Sequence, residues 1–255
     1  MGLMTQNASP PYTVVAQTAD WWVIDKAPGV SFHREGAEQG LFDRLRAELC
    51  TEAGDDPHAI HRLDKMTSGL LVIARNADVA RRLSALWRER RVEKFYLALS
   101  DRSPKRKQGL VAGDMSPARR GAWKLESALT RPALTQFFSK GAGEGRRLFL
   151  LKPHTGRTHQ IRVAMKSLGA PILGDSIYAS PGPAAEDIDR GYLHAYALCL
   201  PWEGEVLRYT CPPAQGFLFA AATCRTLLEE WTAPWDLPWP SVPPHLLARV
   251  GADDA

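Results

Sequence analysis

Two stretches in which large apolar residues alternate with others, Tyr12 to Ala16 and Trp21 to Asp25, flank the polar segment Gln17 to Asp20 and predict a β-hairpin. Lys26-Ala27-Pro28-Gly29 then ends the extended chain, because Pro and Gly impose a turn. Leu41, Leu45 and Leu49 share a face at helical spacing, so Leu41 to Leu49 is predicted helical. Ala59 to Leu63 begins another extended piece, and the unbroken apolar run Gly69 to Ala74 fits a strand buried on both faces. Asn76 or Asp78 caps the next predicted helix, whose Leu83, Leu86 and Trp87 form a stripe with Arg81, Arg82, Arg88 and Arg90 on its other faces. Period two returns at Phe95 to Leu99, which puts Tyr96 and Ala98 on one face and Phe95, Leu97 and Leu99 on the other. Later strands are predicted at Leu134 to Phe138, Arg147 to Lys152 and Leu193 to Leu200, and a helix over Thr158 to Ser167 ending at Gly169. Strands so far apart in the chain, mixed with helices, predict an α+β domain with a mixed, largely antiparallel sheet.

Composition bounds this picture. The 255 residues, 45% hydrophobic and 24% charged, suffice for one sizeable core with decorated ends. The longest apolar runs fall well short of the roughly 18–20 residues of a membrane span, and Met1 to Pro11 carries no export pattern, so a soluble cytoplasmic protein is expected. Cys50, Cys199, Cys211 and Cys224 are spread without metal-ligand spacing and are expected to be buried, reduced thiols. Net charge is a modest +4, but Arg81 to Arg131 holds 14 Lys or Arg against 5 Asp or Glu, which is +9 and leaves −5 for the rest. That segment is a candidate polyanion-binding face, or else simply a solvated surface. The segment from Gly182 to Asp189 is expected to be an exposed acidic loop. The Trp- and Pro-rich stretch from Trp231 to Pro244 either wraps the body in extended form or stays partly disordered.

Two polar stretches carry candidate chemistry. In His61-Arg62-Leu63-Asp64-Lys65-Met66-Thr67-Ser68-Gly69 one carboxylate stands among cations, just before a predicted buried strand. Asp64 there suits a nucleophile or an acid/base on a rigid edge, or a turn carboxylate that pairs with Arg62. In Pro153-His154-Thr155-Gly156-Arg157-Thr158-His159-Gln160-Ile161-Arg162 a glycine-containing loop meets a helix start, where amides and guanidiniums can meet an anion. His61, His154 and His159 lack accompanying cysteines and have few acidic neighbours, so no metal is expected.

Taken in order, His61-Arg62-Leu63-Asp64 with Thr67-Ser68-Gly69-Leu70-Leu71, then Lys94-Phe95-Tyr96-Leu97-Ala98, then Gly156 to Val163, then Pro171-Ile172-Leu173-Gly174-Asp175, resemble the RluA family of pseudouridine synthases. The likeness spans roughly Tyr12 to Pro213. It implies a central active-site cleft, no cofactor and an RNA substrate, either ribosomal or transfer RNA. By resemblance Asp64 is the catalytic aspartate, Tyr96 stacks on the target base, Arg162 pairs with the aspartate, and Arg62 fills the gap left by a flipped nucleotide. His61, Arg157, Thr158, His159 and Gln160 fall in the matching motifs and are candidate RNA contacts. Ala164 and Ala170 stand where many relatives have histidine.

The expected domains are an N-terminal extension (1–11), a catalytic domain (12–225) and a Trp/Pro-rich tail (226–255). No separate small RNA-binding domain is expected ahead of Tyr12. A basic insertion at about 102–124 would then supply substrate grip through Lys105, Arg106, Lys107, Arg119 and Arg120. A monomer with no obligate protein partner is expected. The competing readings are a non-catalytic RNA-binding or ribosome-assembly protein, against which the set Asp64, Tyr96 and Arg162 weighs, and a histidine-dependent hydrolase or nuclease using His154, His159 and Asp64, which a chelator-sensitive activity would favour.

Overall fold

A computed structural model describes residues 10–50, 53–179 and 188–250. Its first hairpin pairs β1 (Tyr12–Gln17) with β2 (Trp21–Lys26), as the alternation predicts. The chain continues through α1 (Leu41–Glu48), β3 (His58–Ala59), β4 (Ser68–Ala74), α2 (Ala77–Arg88) and β5 (Glu93–Ser100). Asn76 caps α2, its side chain accepting from the Val79 N–H at 3.0 Å. There follow β6 (Gln108–Gly113), β7 (Met115–Pro117), β8 (Trp123–Leu125), β9 (Ala133–Gly143), β10 (Arg146–Pro153) and α3 (Gln160–Ser167). Then come β11 (Leu193–Trp202), β12 (Glu205–Thr210), α4 (Ala222–Glu229) and α5 (Pro244–Arg249).

Among the described residues the main sheet runs β1-β2-β4-β11-β5-β10-β9-β6, with β3 added to β4 and β12 to β11, while β7 and β8 form a separate hairpin. Every pairing is antiparallel except β4 with β11. That parallel contact spans only Ser68 with His194 and Gly69 with Ala195. Gly69 is required there: its φ is +107°, and a Cβ would lie 2.3 Å from the Ala195 carbonyl oxygen. Past Gly69 the ladder opens, and the Val72 N–H donates to His61 Nε2 at 3.0 Å.

Apolar faces pack on the sheet in the places the pattern sets. Leu41, Leu45 and Leu49 bury against Trp22, Ile24, Leu71 and Ile73. Val79, Leu83 and Leu86 of α2 bury against Val23, Val72 and Leu200. The largest cluster joins β5, β9, β10 and β11 to α3 and α4, and it absorbs Ala164 and Ala170 as core positions.

Several expectations need correction. α3 starts at Gln160, because Thr158 and His159 form a turn in which His159 is left-handed. A domain boundary after 225 would cut α4. Within the basic insertion, β6, β7 and β8 are regular strands, while Lys105, Arg106 and Lys107 lie in the bend that precedes β6. Cys199, Cys211 and Cys224 are buried free thiols, but Cys50 is exposed beyond the end of α1. The tail wraps the body: Trp231 is buried, the Trp239 ring lies 4.7 Å from that of Phe138, and Leu246 and Val250 pack with Leu134. Residues 1–9 and most of the acidic segment (182–187) lie outside the described residues. No helix among the described residues is long and apolar enough to cross a membrane.

Candidate active site

Register brings the site together. Gly69 pairs with Ala195, and Ala195 with Tyr96, so the three form a row across β4, β11 and β5 with strands about 4.8 Å apart. Two small residues beside Tyr96 leave room above the sheet for its ring. Asp64 lies five residues before Gly69, in a turn closed by the Thr67 N–H donating to the Asp64 carbonyl at 3.0 Å. Beneath that turn the buried Lys26 donates to the carbonyls of Ala27, Val30 and Lys65 at 2.9, 2.8 and 3.2 Å. Burial, reinforced by the Arg190 charge and opposed by Asp64 and Asp25, pulls the Lys26 ammonium down to about 7.

α3 delivers the cation. Arg162 is buried and donates from Nε to Asp175 Oδ2 at 2.7 Å, from Nη2 to Asp175 Oδ1 at 2.8 Å, and from Nη1 to Asp64 Oδ2 at 3.0 Å. Burial works against its charge, but the bonds and charges of Asp175 and then Asp64 outweigh it, and its pKa ends above the ordinary value. Asp175 is fully buried and is positioned by the turn at Gly174, whose φ is +73° and where a Cβ would fall 2.1 Å from the Arg190 carbonyl oxygen. Asp175 Oδ1 also accepts from the N–H groups of Ile177 and Tyr178. The Asp64 side chain keeps 25% of its surface exposed, so one carboxylate anchors the guanidinium while the other faces the cleft.

His159 completes this wall. Its left-handed backbone (φ 58°), tolerated by His more than by most residues, puts Nδ1 3.0 Å from Tyr178 Oη and Nε2 3.9 Å from Asp64 Oδ2. Burial, opposed by Asp64, holds its pKa below the usual imidazole value. Burial and then the Asp64 charge raise the Tyr96 phenol well above its ordinary value, so Tyr96 presents a neutral ring and hydroxyl.

A cleft of about 570 Å³ is lined by Asp64, Tyr96, Arg162, His159 and Arg62, and a second of about 620 Å³ shares Arg62, Asp64, His159 and Arg162 with it. Asp64 therefore stands on the wall between two open spaces. The arrangement offers a carboxylate with a fixed countercharge, a flat aromatic face and an exposed arginine between them.

Residues 20–167 match the family described as RNA pseudouridylate synthase. The chain belongs to the RNA pseudouridylate synthase family. It is 49% identical to an uncharacterized RNA pseudouridine synthase of Haemophilus influenzae over 203 residues, covering 80% of this chain and 88% of that one. It is 37% identical to the dual-specificity RNA pseudouridine synthase RluA of Escherichia coli K12 over 219 residues, covering 81% of this chain and 97% of that one. The solved structure of human RNA pseudouridylate synthase domain containing 1 superposes with a TM-score of 0.69 at 26% identity, over 90% of this chain and 97% of that one. The chain is thus an RNA-modifying isomerase acting on uridine, with the α+β fold of these synthases.

Within this pseudouridylate synthase the other expected RNA contacts separate. Arg62 and Thr158 are exposed. Arg157 is partly buried and donates to the Arg131 carbonyl. Gln160 is a correction: it is buried and its amide is spent inside the protein, accepting from the Thr155 hydroxyl and Arg157 N–H and donating to the Leu134 carbonyl and Thr135 hydroxyl. His61 is committed to the Val72 N–H, and its ring stacks on Trp87 at 4.9 Å. His154 contacts Gln136 Oε1 at 2.7 Å. Among the described residues no group of three or more His, Cys, Asp or Glu is placed to hold a metal.

The fold divides the expected basic arm into two halves that lie apart. Gln108 pairs with Phe138 and Gly113 with Ala133, so β6 runs from mid-sheet towards the His154 loop and separates Lys105, Arg106 and Lys107 from the cleft end by about 17 Å of strand. Arg119 and Arg120 sit at the turn of the β7–β8 hairpin, next to Trp123, whose N–H donates to Tyr178 Oη at 2.8 Å. Sequence reasoning assigned no role to Asp175, Lys26 or Tyr178. Asp175 ends the fourth of the matching motifs and could have been found there; Lys26 and Tyr178 had no local signal.

Proposed function

We propose that this enzyme isomerises a specific uridine in structured ribosomal or transfer RNA, with Asp64 as the catalytic carboxylate and the target base flipped into the cleft against Tyr96. The observation that carries the reading is Arg162 bridging a fully buried Asp175 and a cleft-facing Asp64. The reaction breaks the bond between uracil nitrogen and ribose, turns the base and rejoins it through carbon. No atom is gained or lost, so no redox or group-donor cofactor enters the balance. A carboxylate near the sugar can add to it, stabilise positive charge on it, or trigger proton loss. In each case a fixed guanidinium positions that carboxylate, and Arg162 keeps its charge throughout.

Reaching a stacked base costs a few kcal/mol of unstacking. Tyr96 offsets part of this by receiving the base, with stacking worth about 1–3 kcal/mol. Arg62 fills the vacated stack in this reading, which its exposure on the wall shared by both clefts supports. The test is a comparison of pseudouridine maps of total RNA from cells with and without the gene, followed by modification of the missing site with purified protein. Loss of one or a few sites, restored by the protein, is expected. Unchanged maps together with an inactive purified protein would sink the reading.

A further inference from the structure

The cleft extends past Tyr96 to an end that the isomerisation does not use. Lys94 lies two residues before Tyr96 on β5, on the same strand face and about 7 Å along it. Ser84, Trp87 and Arg88 of α2, together with Arg90, close this end. Among the described residues that line the cleft, the cations are Arg62, Arg88, Arg90, Lys94, Arg157 and Arg162, and Asp64 is the one carboxylate, already engaged by Arg162.

We infer that Lys94 and Arg90 form a subsite for a backbone phosphate of the RNA beside the target uridine. This rests on reading the cleft as the uridine site. The groups facing Lys94 are His61 from the loop before β4, His154 from the end of β10, and Arg90 from the turn after α2. Neither imidazole supplies charge: burial, with Lys94 contributing, holds His61 to about 3, and burial and then Lys152, with Lys94 adding, hold His154 to about 4. Glu93, the nearest carboxylate on β5, is bonded to Lys152. Burial and then the Arg90 charge pull the Lys94 ammonium down to about 8, the state of a cation that lacks its anion. Arg90 is held in place by the tail, its Nη1 donating to the Val250 carbonyl at 2.9 Å. A phosphodiester fits because it is ionised at every working pH and presents oxygens to both cations at once.

The experiment uses the full chain and a synthetic RNA hairpin carrying the modified uridine, with each flanking phosphate in turn replaced by a neutral methylphosphonate. Lys94→Met should bind the native hairpin roughly 10- to 100-fold more weakly, with the slope of log affinity against log salt reduced by about 0.7–0.9. Its single-turnover rate at saturating enzyme should stay near wild type. Neutralising one flanking phosphate should cost the wild type a similar factor and cost Lys94→Met almost nothing more, as expected when both changes remove one interaction. The gap between wild type and Lys94→Met should close as pH rises through about 8 and the ammonium of the free enzyme loses its proton, while Lys94→Arg keeps its advantage across that range. Unchanged affinity and slope in Lys94→Met, or additive losses with every methylphosphonate, would overturn the subsite. So would a slowed saturated rate with unchanged affinity, which would make Lys94 part of the chemistry. A wild type that neither binds nor modifies RNA would instead remove the uridine-site reading on which the subsite rests.

Discussion

Arg162 grips Asp175 with two parallel hydrogen bonds of 2.7 and 2.8 Å, through Nε and Nη2. This bidentate contact fixes the plane of the guanidinium, so its remaining Nη1 can point only one way, at Asp64. Asp175 is accordingly a positioning residue for the carboxylate that faces the cleft.

Asp175→Asn should therefore harm both fold and reaction. Removing one partner of a buried pair typically costs about 3–5 kcal/mol, and here Arg162 would keep only the partly exposed Asp64 as countercharge. Urea denaturation should show a loss of that order, and single-turnover rates at saturating RNA should fall while the folded fraction still binds RNA. An Asn variant matching wild type in both measurements would show that Asp175 does not hold Arg162 in place.

Asp64→Asn removes the carboxylate but keeps the side-chain volume at a position that remains 25% exposed. Pseudouridine formation should disappear while the thermal midpoint and most RNA affinity persist. Turnover within about tenfold of wild type would count decisively against Asp64 as the essential group.

Much of this arrangement was legible in the chain. The apolar runs of β4 and β5 and the three-residue stripe of α1 are one-dimensional patterns, and burial follows them directly. What escaped was made by partners distant in sequence. Lys26 looked like part of a turn, and only folding places Lys65 above it. Gln160 looked like an RNA contact because it falls in a matching motif, yet Leu134 and Thr135 arrive from another strand to use its amide. β12 did carry a local signal: Glu203-Gly204 joins it to β11 in a tight two-residue turn, with φ of 50° and 88°.

Tyr96 divides into a ring and a hydroxyl. Burial and the Asp64 charge keep the phenol protonated through the neutral and mildly alkaline range, so no limb of the pH–rate profile there should belong to Tyr96. Tyr96→Phe should hold RNA as wild type does, with a slower reaction if the hydroxyl takes part in proton transfer. Tyr96→Leu loses the flat face and should forfeit about 1–3 kcal/mol of base capture as well as rate. Full activity in both variants would remove Tyr96 from the site.

The split of the basic segment gives the most direct test of how RNA lies on the surface. Arg119 and Arg120 flank the wall that holds His159, through Trp123 and Tyr178, whereas Lys105, Arg106 and Lys107 lie at the other end of β6. Both groups are exposed, so alanine substitutions at either should leave the fold intact. Deleting one cation that touches a phosphate should lower the slope of log affinity against log salt by roughly 0.7–0.9. Replacing Arg119 and Arg120 should then reduce the slope by up to about 2 and weaken capture of RNA, with the single-turnover rate at saturating enzyme nearly unchanged. Replacing Lys105, Arg106 and Lys107 should change the slope by less, despite removing three charges instead of two, because general attraction across that distance is damped by a Debye length of about 8 Å at physiological salt. Affinity measured across a salt series for both variants decides the matter. A larger loss from the lysine cluster would mean that the RNA runs along the β6 edge of the sheet, with the hairpin turn as a bystander.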